Sequence, residues 1–215
     1  MSVLRTPIAL SILASAALAL AACNSPPPAS ASADTAAPGN AVTSATAPAP
    51  ADAAAVDAVA NAPEAQVVLK PTQGQGAAGT MTLRAEAGGV RIRGQLTGLT
   101  PGSEHGFHIH ENGDCSAPDA SSAGGHFNPD DQPHGSMDSG AHHAGDMPNQ
   151  RADAQGVAAV DTLLGGASLD AGSARNVIGR ALVVHQQPDD YKSQPAGNAG
   201  PRIACGVISA ERTRL

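Results

Sequence analysis

The amino-acid sequence predicts an all-β domain of about eight antiparallel strands, folded as a sandwich or a barrel. Short apolar runs recur at roughly 8–12-residue spacing, and Gly-rich turns separate them, as is typical of strands and hairpins. No stretch keeps an apolar period of about 3.6 residues, so no long helix is predicted. The chain is 41% apolar but only 1% aromatic, so aliphatic side chains must fill the core. We expect such a core to need a disulfide or metal crosslink.

The predicted strands all lie beyond residue 63. Two of the runs, 80–84 and 90–96, alternate apolar and polar side chains, which indicates strands with one buried face. Two segments, 111–145 and 186–202, are too long and polar for hairpin turns, and such loops in a compact domain are often functional. The predicted strands occupy 66–69, 80–84, 90–96, 105–110, 156–163, 180–185 and 203–209.

The 215 residues suggest one domain with appendages, since a domain holds about 100–200 residues. We assign 1–22 to a signal peptide, 23–63 to a tether and 64–215 to the folded domain. Between residues 24 and 63, sixteen residues are Ala and seven are Pro, and Leu, Ile, Met and aromatic residues are absent. With nothing to bury, the tether is expected to be disordered. The formal net charge of −7 argues against nucleic acid as a partner.

Residues 1–22 have the features of an export signal. Arg5 is the only charge before an apolar run at 8–22, which is shorter than the about 20 residues of a membrane span. The tetrapeptide LAAC that ends at Cys23 resembles a bacterial lipobox, so we expect a lipid anchor on Cys23. The alternative is an ordinary cleaved signal with an incidental Cys. By resemblance to lipoprotein sorting rules, Asn24 favours the outer membrane, so the predicted location is the periplasmic side of the cell envelope.

The three cysteines are an odd number, so one of them must be explained without an intramolecular disulfide. Lipidation would account for Cys23. Export would bring the domain into an oxidising compartment, in which Cys115 and Cys205 can pair.

All eight histidines lie between residues 105 and 185. His108 and His110 are two residues apart on a predicted strand, so both rings point to one face. Asp146 follows the last histidine of the first long loop, and His185 ends another strand. Histidines accompanied by a carboxylate indicate a transition-metal centre, because imidazole suits copper and zinc and a mixed set suits zinc. The loop histidines of this set are His126, His134 and His143.

Two longer motifs extend this pattern. GFHIHE at 106–111 resembles the first signature of the copper/zinc superoxide dismutase family, and GNAGPRIACGVI at 197–208 resembles the second. Between them, GHFNP, HG, HAGD and GRALVVH are similar to family segments in the same order. The resemblance covers residues 64–211. It implies a Greek-key β-barrel or sandwich with two long functional loops, and dismutation of superoxide to O₂ and H₂O₂ with copper and zinc as cofactors.

Carried over position by position, the resemblance implies one site of four histidines for copper and one of three histidines and an aspartate for zinc. His126 belongs to both sites, where it would bridge the two ions as an imidazolate and take up a proton during turnover. The implied copper ligands are His108, His110, His126 and His185. The implied zinc ligands are His126, His134, His143 and Asp146.

Two histidines remain outside these sites. The family spacing His-x-Gly-Asp selects His143 rather than the adjoining His142, which we expect to be exposed. His105 differs in strand parity from His108 and His110, so it should face away from their metal and have a structural role.

Asp189 lies four residues after His185. It matches the family aspartate that links a copper histidine to a zinc histidine, here His108 and His134. The alternative is a solvated acid in a polar loop.

The resemblance also implies that Cys115 and Cys205 form the family disulfide, which pins the first long loop to the last strand. Arg202 matches the arginine that guides superoxide to the copper, and is therefore implied to be catalytic together with His126. Lys192 is only a candidate for steering, and Ala196 stands where eukaryotic members carry Thr.

A second hypothesis is a non-catalytic envelope lipoprotein that binds copper or zinc on the same fold. Degenerate relatives would be expected to lose the bridging histidine or the arginine, whereas His126 and Arg202 are both present. A homodimer is compatible with the resemblance, but the pairing surface is not predicted, because bacterial and eukaryotic members use different surfaces.

Overall fold

The structure is a computed structural model that describes residues 64–211, so the expectations about the signal peptide, Cys23 and the tether lie outside the described residues. This part of the chain contains ten strands and one short 3₁₀ turn, Ser121–Ala123. The strands are β1 Glu64–Pro71, β2 Ala78–Glu86, β3 Gly89–Thr97, β4 Glu104–His105, β5 Phe107–His110, β6 Gln150–Arg151, β7 Ala158–Gly165, β8 Ala181–His185, β9 Arg202–Val207 and β10 Ser209–Ala210.

Eight of these strands form one sheet in the order β5-β8-β9-β1-β2-β3-β7, with β10 paired to β1, while β4 and β6 form a separate ladder. Every pair of strands is antiparallel. The predicted all-β antiparallel fold is therefore confirmed. Since β5 and β7 lie at opposite ends of the sheet, the chain between them must pass from one end to the other, and this segment contains four of the eight histidines.

The hairpin of β2 and β3 shows how the sequence pattern becomes sheet. Its strands pair from Ala78↔Thr97 to Glu86↔Gly89, which leaves a two-residue turn. Gly88 in this turn has φ +91°, a conformation that side chains with a Cβ rarely adopt. Met81 and Ile92 are fully buried because alternate side chains point into the core.

Aliphatic side chains fill the core, as the low aromatic content requires. Phe107 is the only aromatic residue among the largest fully buried side chains of the described domain, apart from His105. The others include Leu69, Met81, Leu83, Ile92, Leu96, Ile109, Leu164, Leu182 and Ile208.

The predicted strand 105–110 is interrupted at Gly106, which separates β4 from β5. Gly106 N–H donates to Gln187 O at 2.8 Å, and Gly106 O accepts from His185 N–H at 2.8 Å. A Cβ at this position would lie 2.9 Å from the Ala199 side chain, so the close approach of three segments requires glycine. The short strand β6 was not predicted, because two residues are too few for a sequence pattern.

In the part of the chain from 64 to 211, no helix has the length and apolar character needed to cross a membrane.

Candidate metal centre

Backbone pairing carries the first long loop onto the edge strand β5. Ile109 N–H donates to Gly145 O at 3.0 Å, and Phe127 N–H donates to Ile109 O at 2.8 Å. Isolated bridges therefore set His126 beside His110 and Asp146 beside His108. Residues that are far apart in the loop sequence thus meet at β5.

The first group of side chains, which we call the copper group, contains four buried histidines whose ligand atoms lie within 4.8 Å of one another: His108, His110, His126 and His185. His110 Nδ1–H donates to Gly124 O at 3.0 Å, and His185 Nδ1–H donates to Gly200 O at 3.1 Å. These bonds leave the Nε2 atoms of both rings, 3.3 Å apart, free to face the centre of the group.

The second group, which we call the zinc group, contains His126, His134, His143 and Asp146, again within 4.8 Å of one another. Asp146 Oδ1 lies 2.7, 3.1 and 3.2 Å from the Nδ1 atoms of the three rings. His126 Nδ1 and His143 Nδ1 are 3.4 Å apart. Tetrahedral zinc with ligand distances of about 2.0–2.2 Å separates its ligand atoms by about 3.3 Å, so these four atoms fit zinc closely.

Three buried ring nitrogens of the described domain have no hydrogen-bond partner: His108 Nδ1, His126 Nε2 and His134 Nδ1. All three belong to side chains of the two groups. A buried polar atom is normally satisfied, so three orphans in one place need an explanation. Metal ions supply it, because a deprotonated imidazole nitrogen coordinates a metal through its lone pair.

His126 joins the two groups through the two nitrogens of its ring. Its Nδ1 lies against Asp146 in the zinc group, while its Nε2 is the unpartnered atom that faces the copper group. The ring centroid of His126 lies 4.1 Å from that of His108 and 5.3 Å from that of His134. This is the position that a bridging ligand requires.

Burial lowers the pKa of three of the four copper-group rings. It lowers the pKa of His185 to about 3, and it lowers the pKa of His110 well below its usual value. Burial also lowers the pKa of His126 to about 4, although the hydrogen bond to Asp146 acts in the opposite direction. Desolvation disfavours the charged imidazolium, so these rings present lone pairs at neutral pH.

The zinc group is held together by charge. Burial would lower the pKa of His134, but the nearby carboxylates of Asp146 and Asp189 outweigh it and raise the pKa to about 9. Burial likewise opposes ionisation of Asp146, yet the bonds to its three histidines hold its pKa well below the usual range. Without a metal His134 therefore carries a proton, which a cation must displace on binding.

Asp189 lies between the two groups, where the sequence predicted a link. Its Oδ2 accepts from His108 Nε2–H at 2.8 Å, and its Oδ1 accepts from His134 Nε2–H at 2.9 Å. One carboxylate therefore orients one ring of each group, and its oxygens fix the tautomers so that both Nδ1 atoms face the ligand positions. Hydrogen bonds from both rings hold the pKa of Asp189 below its usual range, although burial opposes this.

Comparison with known proteins identifies this arrangement. The family model described as copper/zinc superoxide dismutase (SODC) matches residues 77–208.

The chain belongs to the copper/zinc superoxide dismutase family.

Relatives of this dismutase family cover most of the folded domain. The Cu-Zn superoxide dismutase 2 of Aquifex aeolicus is 50% identical over 123 residues, which are 56% of this chain and 72% of that protein. The Cu-Zn superoxide dismutase of Caulobacter vibrioides is 41% identical over 149 residues, 67% of this chain and 84% of that protein. The crystal structure of a SOD-like protein from Bacillus subtilis matches with a TM-score of 0.61 and 39% identity, over 66% of this chain and 96% of that one.

Arg202, the predicted guide of this family, lies at the start of β9 and is half-buried. Its Nη1–H donates to Ala120 O at 2.5 Å and its Nη2–H donates to Gly124 O at 2.6 Å. Gly124 O also accepts from His110, so one carbonyl connects the guanidinium to the copper group. Burial lowers the pKa of Arg202. The side chain nevertheless keeps its charge at neutral pH, because the pKa of a guanidinium lies far above neutrality.

Cys115 and Cys205 form a disulfide bond, with their Cα atoms 5.8 Å apart and a sequence separation of 90. The bond fastens the first long loop to β9 near Arg202. In the chain-entropy model, closing a loop of this length stabilises the fold by roughly 4–5 kcal/mol. This disulfide provides the crosslink that we expected for a core poor in aromatic residues.

The structure refines the expectations for the remaining histidines. His142 belongs to neither group, but it is half-buried rather than exposed, because its Nδ1–H donates to His143 O at 2.8 Å. His105 is buried; its Nδ1–H donates to His185 O at 2.8 Å and its Nε2 contacts Ser103 Oγ at 2.6 Å. It therefore supports the backbone of a predicted copper ligand without belonging to the group. Lys192 is exposed and forms no ion pair within residues 64–211.

Two amide side chains were not predicted. Asn149 Nδ2–H donates to Asp189 O at 2.9 Å, and Asp189 N–H donates to Asn149 Oδ1 at 2.8 Å. Gln194 makes the same reciprocal pair with the backbone of His134. Asn149 lies three residues beyond Asp146 in a segment of weak pattern, and nothing in the sequence marks either amide.

Proposed function

We propose that this protein is an exported, lipid-anchored copper/zinc superoxide dismutase, which converts superoxide to O₂ and H₂O₂. The membership of the family supports the reaction, and relatives at 41–50% identity carry the name superoxide dismutase. The observation that carries the proposal is the ring of His126, with one nitrogen in the zinc group and one in the copper group. A protein that only stored metal would have no need of a shared ligand.

The copper group would hold copper and the zinc group would hold zinc. Copper in such a site supplies reversible one-electron chemistry, by which one superoxide loses an electron and leaves as O₂ and a second gains it and leaves with two protons as H₂O₂. His126 Nε2, the unpartnered atom that faces the copper group, is the place where this chain can hold and release a proton. The other nitrogen of the same ring, Nδ1, lies in the zinc group beside Asp146, so the ring would stay in place while the proton on Nε2 moves.

Charge favours the approach of a small anion at this centre. The protein carries a formal net charge of −7, so its overall field repels superoxide. Arg202 places a guanidinium one carbonyl away from His110, and local positive charge in a negative surround focuses an anion and raises its association rate.

The location is supported by the sequence alone. The apolar run at 8–22 and the LAAC tetrapeptide support export and lipidation at Cys23, and Asn24 supports the outer membrane. A flexible chain of forty residues would span roughly 35 Å, so the enzyme domain would stand clear of the lipid headgroups.

The test combines metal analysis with a dismutation assay on the full chain, before and after chelation. We expect copper and zinc in equal amounts, loss of activity on chelation and recovery with copper. His126→Ala should abolish the activity, whereas His142→Ala, a histidine outside both groups, should retain it. A protein that holds both metals and does not dismute superoxide would establish the non-catalytic alternative instead.

A further inference from the structure

We infer that Gln194 is a positioning residue for the zinc group, which it serves by holding the backbone of His134 from outside. The inference rests on the proposed function in one respect, since it takes the zinc group to be a metal site. It assigns to the second long loop a role in metal retention that is separate from the Asp189 link.

The contact between the two loops is reciprocal. His134 N–H donates to Gln194 Oε1 at 2.9 Å, and Gln194 Nε2–H donates to His134 O at 2.9 Å. Sixty residues separate the partners. The side-chain amide thereby satisfies both backbone groups of His134, as a neighbouring strand would, and fixes the position and rotation of its peptide units.

The rest of the His134 residue is held by other groups. Its Nε2–H donates to Asp189 Oδ1 at 2.9 Å, and its Nδ1 lies 3.1 Å from Asp146 Oδ1. The ring is therefore oriented by carboxylates, but a ring can be oriented correctly only if its Cα is in place. Gln194 acts on the N–H and C=O of His134 itself, whereas Asp146 Oδ2 accepts from the following N–H, that of Gly135, at 3.1 Å.

The turn that carries Gln194 packs directly over the ring of His134. Gly197 lies so close that a Cβ there would overlap Asp189 Oδ1 and lie 2.7 Å from His134 Nε2. Gly197 N–H donates to Ser193 O at 2.7 Å, and Gly197 O accepts from Asp190 N–H at 2.9 Å, which closes the turn. Residues 193–197 therefore cover the outer side of the hydrogen bond between Asp189 and His134. The Gln194 side chain extends past this bond to the His134 backbone.

Gln194 itself is exposed, whereas His134 is buried. A glutamine that served only solubility would not form two matched bonds to a single buried residue. Groups that orient a metal ligand typically change metal affinity by about 10–100-fold when they are removed. The expected effect of losing Gln194 is therefore on zinc retention rather than on folding.

The test measures zinc binding to the demetallated full chain, by competition with a chromophoric chelator, well below the melting temperature. Gln194→Met keeps the length of the side chain and removes both bonds, and we expect zinc affinity to fall by about tenfold or more. Gln194→Glu keeps the acceptor for His134 N–H but not the donor, so it should lose less. Gln155→Met makes the same change on an exposed turn and should match the parent.

Cobalt(II) alone serves as a spectroscopic probe of the zinc group. We expect weaker and shifted visible bands in Gln194→Met, because a displaced His134 distorts the tetrahedral site. Measurements at low and high salt separate the added charge of Gln194→Glu from its hydrogen bond, since only the charge effect is screened.

A Gln194→Met protein with the parent's zinc affinity and cobalt spectrum, but a lower melting temperature, would overturn the inference and leave a structural role. Both readouts concern metal binding rather than turnover. A parent protein without dismutase activity would therefore refute the proposed function and leave this inference standing.

Discussion

Asp146→Ala tests the architecture of the zinc group most directly, because the two oxygens of Asp146 have separate tasks. Oδ1 faces the three rings, while Oδ2 accepts from His143 N–H at 2.9 Å and from Gly135 N–H at 3.1 Å. Truncation would leave two buried backbone donors without partners. It would also remove the only carboxylate from the ligand set.

The magnitude follows from these contacts. A buried donor left unsatisfied costs about 1–3 kcal/mol, so two of them should lower the free energy of unfolding of the metal-free protein by about 2–6 kcal/mol. For a domain of this size the melting temperature falls by about 2–4 °C per kcal/mol, so a decrease of about 5–20 °C is expected. Zinc content should fall as well, while copper should still bind to the four histidines of its group.

The assay is calorimetric melting of the metal-free protein, followed by metal analysis after loading with both ions. Asp161→Ala is the matched control, because Asp161 is an exposed aspartate on β7 whose ion pairs with Arg91 and Arg93 lie on the surface. Surface pairs contribute about 0–1 kcal/mol. If Asp146→Ala melts like Asp161→Ala and keeps its zinc, Asp146 does not anchor the zinc group and the reasoning fails.

Three further predictions concern charge, packing and anchoring. Arg202→Glu should lower the second-order dismutation rate by about tenfold or more and weaken or invert its salt dependence, whereas Arg202→Lys should lose less; a fully metallated Arg202→Glu protein with the parent's rate and salt slope would exclude a guiding role. Gly197→Ala should weaken zinc binding, because its Cβ would overlap the Asp189 carboxylate, while Gly74→Ala carries the strain of a similar positive φ in open space and should keep the parent's affinity; equal zinc affinity in the two variants would contradict this. Cys23→Ser should give an uncleaved or soluble protein without acyl label, and acyl label that persists would disprove the anchor.

Much of the fold could be predicted from the sequence because strand formation is encoded locally. Alternation in 80–84 and 90–96 predicted the hairpin of β2 and β3. The structure extends the first run by two residues at each end and the second by one residue at each end. Gly106 was the exception. Its neighbours from the second long loop and from β8 break the strand there, and neither neighbour is visible in the local pattern.

The ligand sets of the two metal groups came from the resemblance of short motifs to the family, and the structure brings those side chains close together. His108 and His110 share a strand face by parity alone, and HAGD at 143–146 distinguishes His143 from His142. The structure supplies the physical reason for that choice. Asp146 Oδ2 holds His143 N–H in a tight turn, which directs the His143 ring inward and leaves His142 bonded to the outside of the same turn.

The sequence by itself determined the fold class and most of the segments that form strands, since periodicity is a property of a single stretch of chain, while the two sets of metal ligands were implied by the resemblance to the family. Only the tertiary structure decided which nitrogen of each ring faces a metal. That choice depends on the carbonyl or carboxylate that takes the other nitrogen: Gly124 for His110, Gly200 for His185, Asp189 for His108 and His134. The two hydrogen bonds between Gln194 and the His134 backbone likewise depend on the tertiary structure. These partners lie 14 to 81 residues apart, and a hydrogen bond between them exists only after folding has brought their segments together.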